Sequence, residues 1–546
     1  MLVRRLSNPG RMGHCMVRRR QRRSGVVLLG VLIVIVILSL IAYQFSDRMA
    51  AEYNAASNAH RNTQVRAFAA SGIYYAAAVL SNPDNANLIS NGIYDNEMFK
   101  DVALADGENL HAAGRFTLVA PADPTDNGGS AFRAGVTDES GKININAMMK
   151  IDPSGQTLQD MLTKLPNMTP EIAASIVYWV DSSATPREGA ADSGYYQGLN
   201  PPYACKNGPL DSLDELLLVQ GVTRELLYGS DLNHNNLPDA NETSTSGSAI
   251  DRGWSAFLTV SSRESNRNAQ GQPLVYLNDT DLSTLYQNLE TLANDDVAKF
   301  VVMYRQYGAS TSTGKSQSVL GSIASLLGGS SQKTTSTTSS NTVAGTLDSF
   351  TPDFTKNGSR QIATLYDLIG TQVSIAGKGK APTVVYSSPF NDPSALVALF
   401  QACWLGTTTS QDPELPARIN ILTAPPEVLA ALPVLTDGNV QTILSVRPSL
   451  SSADIQTDTY KTPAWLIAAA SVTPQTLSSL DKYVTVRSSV YSVQSIGYFD
   501  NKQGPTARVE AIIDTTFGRP RIVYWRDWTE LGKTTVPGVT NPAAGN

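Results

Sequence analysis

The longest uninterrupted run of apolar residues lies near the N-terminus and predicts a membrane-spanning helix. Residues 26–43 read VVLLGVLIVIVILSLIAY, 18 residues without a charge, which is about the length that crosses a bilayer as a helix. Small and apolar residues then recur at helical spacing until Asn82 and Pro83 end the pattern. The pattern therefore predicts one helix from Val26 to about Leu80, roughly 80 Å long at the rise of an α-helix.

Alternating apolar and polar positions predict strands in two places, separated by a long helical region. The first strands are predicted at Gly114–Ala120 and Ala131–Val136, and the last ones within Val484–Trp525. Between them, periodicity predicts helices at Leu158–Leu165, Pro170–Trp179, Leu213–Val219, Asp281–Ala293 and Asp296–Tyr307, and an extended segment at Leu274–Leu277. This order favours an α+β fold in which helices are inserted into an antiparallel sheet.

A tract rich in Ser, Thr and Gly interrupts the helical region at 309–346. Such a tract cannot bury enough apolar surface to order itself, so it is predicted to be a flexible insert. The tail, 534–546, is predicted to be loose, because the last residues of a chain are usually poorly ordered unless they pack on the domain.

An internal echo predicts two similar helical subdomains. The segment KININA, residues 142–147, leads into LPNMTPEIAASI, and RINILTAP, residues 418–425, leads into LPVLTDGNVQTI. Each is an Asn-bearing strand followed by a Leu-Pro turn and a helix. The turns are also compatible with a helix-hairpin-helix module for nucleic acid, but acidic flanks such as Glu171 and Asp437 favour simple helix packing.

Charge is distributed very unevenly along the chain. Residues 1–25 contain eight Arg and no acid, which leaves 34 basic against 48 acidic residues for the rest, a net charge of −14. The basic leader places the N-terminus in the cytoplasm by the positive-inside rule, and the body outside it. A body this acidic disfavours nucleic acid as a partner.

Three interpretations of the N-terminus compete: a cleaved secretory signal, a plain anchor, and a leader that ends in Gly and is cleaved before the apolar run. The first is disfavoured because the run is long and Ala42-Tyr43-Gln44 is a poor cleavage site. The third is favoured because Arg-Arg-Ser-Gly25 directly precedes Val26. It predicts processing between Gly25 and Val26.

Motifs for catalysis are missing from the sequence. The four His are isolated, and the chain has no G-x-S-x-G, dinucleotide fingerprint, P-loop or H-E-x-x-H. The chain is therefore predicted not to be an enzyme, with an anchored extracytoplasmic hydrolase as an alternative. Cys205 and Cys403 could form one disulfide or remain two thiols, and the sequence leaves both open.

The order of several short motifs resembles minor pseudopilin K of type II secretion. They are DESGKININ at 138–146, YWVD at 178–181, GYY at 194–196, DEL at 214–216, VQG at 219–221, LTV at 258–260, TAP at 423–425 and SSVY at 488–491. The resemblance covers nearly the whole chain apart from the leader, the insert and the tail. One departure is Ser182-Ser183, where the family tends to carry carboxylates, and it puts a metal role of that loop in doubt.

The resemblance implies a pseudopilin scaffold, with a long N-terminal helix on an antiparallel sheet and a large inserted helical domain. The expected boundaries are 1–25 for the leader, 26–80 for the helix, 81–147 and 484–533 for the sheet, and 148–260 and 261–483 for two helical subdomains. The implied function is structural: part of the tip of the periplasmic pseudopilus, promoting protein export. The implied partners are other minor pseudopilins, the major pseudopilin, the inner-membrane secretion platform and prepilin peptidase. A type IV pilus minor pilin or DNA-uptake component is the alternative within this class.

Two further sites are predicted. The segment 231–242 has the spacing of a calcium loop, in which Asp231, Asn233, Asn235, Asp239 and Glu242 supply side-chain oxygens and Leu237 a backbone carbonyl. It departs from the pattern at Asn236, which replaces the usual Gly, so a polar loop without metal is the alternative.

The second site is Gly30, which is position 5 after the predicted cleavage. Most pilins and pseudopilins carry Glu at this position, and the resemblance implies that its absence places the subunit at the filament tip.

Overall fold

The computed structural model describes residues 24–81, 92–104, 113–121, 132–234, 242, 251–268, 270–310, 342–379, 381–450, 452–501 and 504–531. Most of the predicted leader, most of the insert 309–346 and the predicted loose tail lie outside this part of the chain. The chain forms two compact units, residues 1–63 and residues 64–546.

The first unit contains the N-terminal part of a single helix, α1, which extends over Ser24–Ser81. The prediction of one continuous helix up to about Leu80 is therefore confirmed. From Val26 to Tyr43 its side chains are exposed and free of charge. Among the helices that the structure describes, α1 is the one that is long and apolar enough to cross a membrane.

The second unit is built around an antiparallel sheet whose strands come from both ends of the unit. The central order is β1–β2–β16–β17–β18, with β3 beside β2 and β4 beside β16. The strands are β1 Val102–Ala103, β2 Gly114–Pro121, β3 Phe132–Ala134, β4 Thr137–Asp138, β5 Ile143–Asn144, β6 Leu258–Thr259, β7 Glu264–Ser265, β8 Val275–Tyr276, β9 Thr342–Gly345, β10 Gln372–Ile375, β11 Thr383–Ser387, β12 Thr407–Thr408, β13 Glu414–Leu415, β14 Ile419–Asn420, β15 Val484–Thr485, β16 Val490–Phe499, β17 Ala507–Asp514 and β18 Arg521–Asp527. Because β16 pairs with both β2 and β17, the chain returns to the sheet after a long insertion.

The C-terminal part of α1 packs on one face of this sheet. Val65, Ala69 and Ile73 recur every four residues and are completely buried against the sheet. The contact is close at Gly497 of β16, where a Cβ would lie 2.3 Å from the carbonyl oxygen of Val65. Only a glycine therefore fits at this point of the sheet.

The inserted region consists mainly of short helices, and its apolar side chains form one large core. The helices after α1 are α2 Ile145–Ile151, α3 Gln156–Leu162, α4 Pro170–Val180, α5 Ser193–Gln197, α6 Arg224–Tyr228, α7 Leu282–Leu292, α8 Asp295–Tyr307, α9 Pro393–Gly406, α10 Pro426–Ala431, α11 Asp437–Val446, α12 Trp465–Ala468 and α13 Pro474–Leu480. With the sheet described above, this architecture confirms the predicted α+β class.

The internal echo corresponds to two structurally similar repeats. In the first, β5 pairs in parallel with β6, so that Asn144 lies opposite Thr259. In the second, β14 pairs in parallel with β15, so that Asn420 lies opposite Thr485. Short helices follow each Asn-bearing strand, as the echo predicts.

Each repeat also buries an equivalent ion pair next to its Thr. In the first repeat, Glu139 bonds the Lys142 ammonium at 2.8 Å and accepts the Thr259 hydroxyl hydrogen at 2.5 Å. In the second, Glu264 accepts two bonds from the Arg418 guanidinium, one of them 2.8 Å long, and one from Thr485 at 3.1 Å. The second repeat thus replaces Lys by a bidentate Arg.

Several elements differ from the predictions. The insert predicted as flexible at 309–346 extends too far, because Thr342–Gly345 forms β9, which pairs in parallel with β11. Val484–Thr485 was assigned to the C-terminal sheet by its alternation, but it pairs with β14 of the second repeat. The helix predicted at Leu213–Val219 is present as a 3₁₀ helix, Leu213–Leu218, a form that short segments often take. The helix α9, Pro393–Gly406, was not predicted, because its nearly uniform apolar sequence has no helical period.

Candidate functional site

The predicted processing and filament-position residues all lie on α1. Gly25 and Val26 lie in its first turn, and the Val26 side chain is 78% exposed. A Cβ placed at Gly30 would meet no atom within 4 Å. Packing within the chain therefore does not require a glycine at position 30.

Asp138, at the end of β4, joins the sheet to both ends of the second repeat. Its Oδ2 accepts hydrogen bonds from Asn420 at 3.0 Å, Thr423 at 2.7 Å and Ser488 at 2.6 Å. Its Oδ1 accepts the backbone N–H of Ser140 at 2.8 Å. Burial raises the pKa of this carboxyl group, while its hydroxyl and amide donors oppose the rise. This arrangement fixes how the inserted region is held against the sheet.

In the described part of the predicted calcium loop, Glu242, the last predicted ligand, bonds the backbone of the residue that follows Asp231, the first. Asp231 and Glu242 are both buried, and Glu242 Oε1 accepts the backbone N–H of Leu232 at 2.9 Å. This fits a loop in which positions 1 and 12 contribute to one cation. Asn235, Leu237 and Asp239 lie outside the described residues.

The start of this loop is docked on the sheet face opposite α1. The carbonyl oxygen of His234 accepts a 2.9 Å bond from Gln494 Nε2, and that of Asn233 accepts one from Arg508. The His234 ring stacks on Trp528, with 4.4 Å between ring centroids. Burial, together with nearby guanidinium groups, lowers the pKa of His234 to about 4, so the imidazole is neutral at ordinary pH.

The Asp181 carboxylate, at the start of the next loop, is bound by groups within the protein. Asp181 Oδ1 accepts the N–H and the hydroxyl hydrogen of Ser183, at 2.8 Å and 2.6 Å. Its Oδ2 lies 3.6 Å from the Arg187 guanidinium. A guanidinium thus provides the positive charge, in keeping with the doubt that Ser182 and Ser183 raise about a metal there.

Among the described residues, no group of three or more His, Cys, Asp or Glu could hold a metal ion.

Cys205 and Cys403 are separate thiols, and burial raises the pKa of the Cys403 thiol to about 12. Of the alternatives for this cysteine pair, the structure therefore has two thiols.

The Asp138 junction and the Glu264–Arg418 pair were not predicted from the sequence. Both depend on side chains more than 150 residues apart. The echo offered a signal, since Lys142 and Arg418 occupy the same place before their Asn-bearing strands. It did not identify the carboxylate partner of either residue.

Comparison with known proteins places the chain near one family. Residues 141–228 match the family described as "Type II secretion system (T2SS), protein K". The type II secretion system protein K of Klebsiella pneumoniae is 24% identical over 221 residues, which are 38% of this chain and 60% of that protein. The match thus spans about three fifths of the length of the curated relative.

Among solved structures, the crystal structure of the GspK–GspI–GspJ complex from the enterotoxigenic Escherichia coli type 2 secretion system contains a similar chain. The likeness has a TM-score of 0.33 and 11% identity, and covers 88% of this chain and 99% of that one. The family match at 141–228 and the Klebsiella relative confirm the resemblance to protein K that the motifs predicted.

Proposed function

We propose, for a chain whose residues 141–228 carry the protein K family sequence, that it is a minor pseudopilin of a type II secretion system. In this role it forms part of the tip of a periplasmic pseudopilus and promotes the export of folded proteins across the outer membrane. Its function is structural, not catalytic. The proposed partners are other minor pseudopilins, the major pseudopilin, the inner-membrane secretion platform and prepilin peptidase.

One observation carries this proposal. The protein K segment begins at Gly141, three residues after the end of β4, so it is inserted into a sheet on which a long N-terminal helix packs. A helix that supplies a membrane-spanning half and a sheet-packed half gives a subunit both an anchor and a rigid body. Asp138 at the insertion point then holds the inserted region to that body.

Export is the activity that tests the proposal. An in-frame deletion of the gene is expected to stop release of the secreted proteins and retain them in the periplasm, and the full chain is expected to restore release. Normal export in the deletion strain, together with loss of DNA uptake or of surface pili, would instead favour the pilus alternative.

We propose that the N-terminus is cytoplasmic, that the body is periplasmic, and that prepilin peptidase cleaves between Gly25 and Val26. N-terminal sequencing of the membrane form is expected to begin at Val26, because the leader, which contains eight Arg and no acid, ends in Gly just before the apolar run. A control variant, Gly25→Leu, is expected to remain uncleaved, so that sequencing finds the N-terminus of its leader rather than Val26. A mature chain that begins beyond Tyr43 would contradict this type of processing.

We also propose that the loop 231–242 binds one calcium ion through Asp231, Asn233, Asn235, Leu237, Asp239 and Glu242. Calcium that binds the folded state alone is expected to raise stability by about 2.7 kcal/mol at a hundredfold excess over Kd. Glu242→Ala is expected to remove this gain because it deletes the last ligand.

The measurement is thermal unfolding of the protein in calcium and in chelator. Glu188→Ala, at an exposed Glu outside the loop, serves as the control and is expected to keep the full calcium response. If the melting temperature of the unmodified chain is the same in both conditions, the loop is a polar loop without metal.

A further inference from the structure

The loop 181–192 joins α4 to α5 and contacts the turn between α2 and α3. Its first residue, Asp181, has a side chain 4% exposed, and Arg187 reaches back towards it with a side chain 12% exposed. Ser182 and Ser183 occupy the positions at which the family tends to carry further carboxylates. The loop therefore differs from its family in the groups that could hold a metal ion.

The oxygen atoms of this loop do not fit a divalent cation. Calcium takes about six to eight oxygen ligands, several of them from carboxylates. Of the other carboxyl groups in the loop, Glu188 is exposed, and Asp192 caps α5 by accepting the N–H of Tyr195 at 3.1 Å. Asp181 Oδ1 already accepts the N–H and the hydroxyl hydrogen of Ser183. One buried carboxylate of this kind is too little to hold the ion.

The positive charge of the loop comes instead from Arg187. Its Nη2 donates a hydrogen bond to the Ser154 carbonyl oxygen and lies 3.6 Å from Asp181 Oδ2. This charge is thus placed between a backbone carbonyl oxygen and a carboxylate oxygen, which are both types of ligand that calcium takes from proteins. Because 3.6 Å is longer than a hydrogen bond, charge attraction holds the carboxylate side.

Gly155, in the turn before α3, leaves the space that the guanidinium fills. Its φ is +69°, a conformation that suits glycine. A Cβ at this residue would lie 2.7 Å from Arg187 Nη2 and 2.5 Å from a methyl carbon of Val177 in α4. A larger residue would therefore displace the guanidinium or the helix.

The Asp181 carboxylate is kept in its charged form. Burial acts to raise its pKa, but the Ser183 donors and the Arg187 charge outweigh burial and hold the pKa below its usual value. An arginine stays protonated at any ordinary pH. Because it is part of the chain, its contribution also does not depend on the concentration of a free ion, as that of a bound cation does.

We propose that Arg187 replaces a divalent cation in this loop. Its guanidinium ties the loop 181–192 to the turn before α3, and this part of the first repeat keeps its structure when divalent cations are removed. The inference does not depend on calcium binding at 231–242, which involves other residues.

Hydrogen exchange of the full chain in detergent, in calcium and in chelator, tests this inference. The amides of 182–192 are expected to exchange at the same rate in both conditions. In Arg187→Ala they are expected to exchange at least about tenfold faster, because the loop then opens more easily. Arg519→Ala, at an exposed Arg before β18, is the matched control and is expected to leave this rate unchanged. The loop 231–242 is read as a separate peptide, so its own response to chelator does not enter the comparison.

Free guanidinium separates the role of the charge from that of packing. Guanidinium chloride, well below denaturing concentration, is expected to slow exchange of 182–192 in Arg187→Ala. Urea, which is similarly planar but neutral, and sodium chloride are expected not to do so at the same concentration. Equal effects of guanidinium and urea would overturn the inference.

Two further results would also overturn it. Faster exchange of 182–192 in the unmodified chain with chelator would show that the loop holds a metal ion, and unchanged exchange in Arg187→Ala would show that Arg187 does not hold the loop. If Arg187→Ala does not fold, Arg187→Lys is measured instead, since it keeps the charge without the planar donors. It is expected to exchange faster than the unmodified chain in this loop alone, and an equal rate would contradict the inference.

Discussion

Replacing Glu264 by Ala is expected to destabilise the body by about 3–5 kcal/mol, the usual cost of leaving one member of a buried ion pair alone. The Glu264 side chain is 4% exposed and that of Arg418 is 13% exposed, so water cannot replace the lost carboxylate. Thr485 would lose its acceptor as well. Among the described residues a second carboxyl group, that of Asp481, lies 3.7 Å from the guanidinium, and burial raises its pKa to about 6. At this longer distance Asp481 is expected to replace only a small part of the lost bidentate pair.

Chemical unfolding of the full chain in detergent measures this loss. The control is Glu530→Ala, which removes an ion pair with Arg66 whose Glu side chain is 85% exposed, and it is expected to cost less than about 1 kcal/mol. Removing both charges, in Glu264→Leu with Arg418→Leu, is expected to recover part of the loss. Similar costs for Glu264→Ala and Glu530→Ala would show that the buried pair does not stabilise the second repeat.

Gly497→Ala is expected to cost about 1–3 kcal/mol or more, because the added methyl group overpacks the contact between α1 and β16. A Cβ at this position would lie 2.3 Å from the Val65 carbonyl oxygen and 2.4 Å from the Ala69 nitrogen. Both atoms belong to the helix backbone, so no side-chain rotation can relieve the clash. The helix must move away from the sheet, and neighbouring core contacts weaken.

The matched control is Gly438→Ala in α11, where the nearest atom to a Cβ is the Thr436 hydroxyl oxygen at 3.8 Å. This change is expected to be neutral or to stabilise by up to about 1 kcal/mol, because Ala favours helix more than Gly does. Thermal unfolding of the two variants side by side gives the comparison. If Gly497→Ala and Gly438→Ala have the same melting temperature, the close helix–sheet contact does not exist in solution.

The elements that sequence analysis located well are those whose local signals agree. The 18-residue apolar run and the following small-residue pattern gave α1, and alternation gave β2. The α4 helix begins at Pro170 after Thr169, whose hydroxyl accepts the N–H of Ile172 at 3.3 Å, as expected for an N-cap. Local chemistry alone was sufficient in each case.

Contacts between distant parts of the chain could not be predicted from local sequence signals. The pairing of β14 with β15 joins residues about 65 positions apart through two residues of each strand, too few for alternation to reveal the partner. Likewise, the motif that contains Asp138 was recognised only as part of a resemblance. Its role follows from Asn420, Thr423 and Ser488, which reach it from the far end of the insertion.

The candidate sites also differ in whether local sequence signals or only long-range contacts identify them. Gly25, Val26 and Gly30 could be proposed as candidates from the sequence alone, because a leader and the start of a helix are formed by consecutive residues. The Glu264–Arg418 pair, on the other hand, needed the three-dimensional arrangement, since its two side chains lie 154 residues apart along the chain.

The position of this subunit in the filament is the most direct test of the proposed function. Most pilins and pseudopilins carry Glu at position 5 to pair with the free amine of a neighbour, because an unpaired charge within the bilayer is costly. Gly30 offers no such carboxylate, and packing does not require a glycine there. We therefore expect this subunit to begin a filament and to join poorly beneath existing subunits.

Immunogold labelling of overproduced pseudopili, with antibody against the body of this chain, makes the measurement. The account predicts label at one end of each filament for the wild-type chain, and a changed position or copy number for Gly30→Glu, with membrane insertion intact. Label distributed evenly along wild-type filaments would contradict the assignment to the tip.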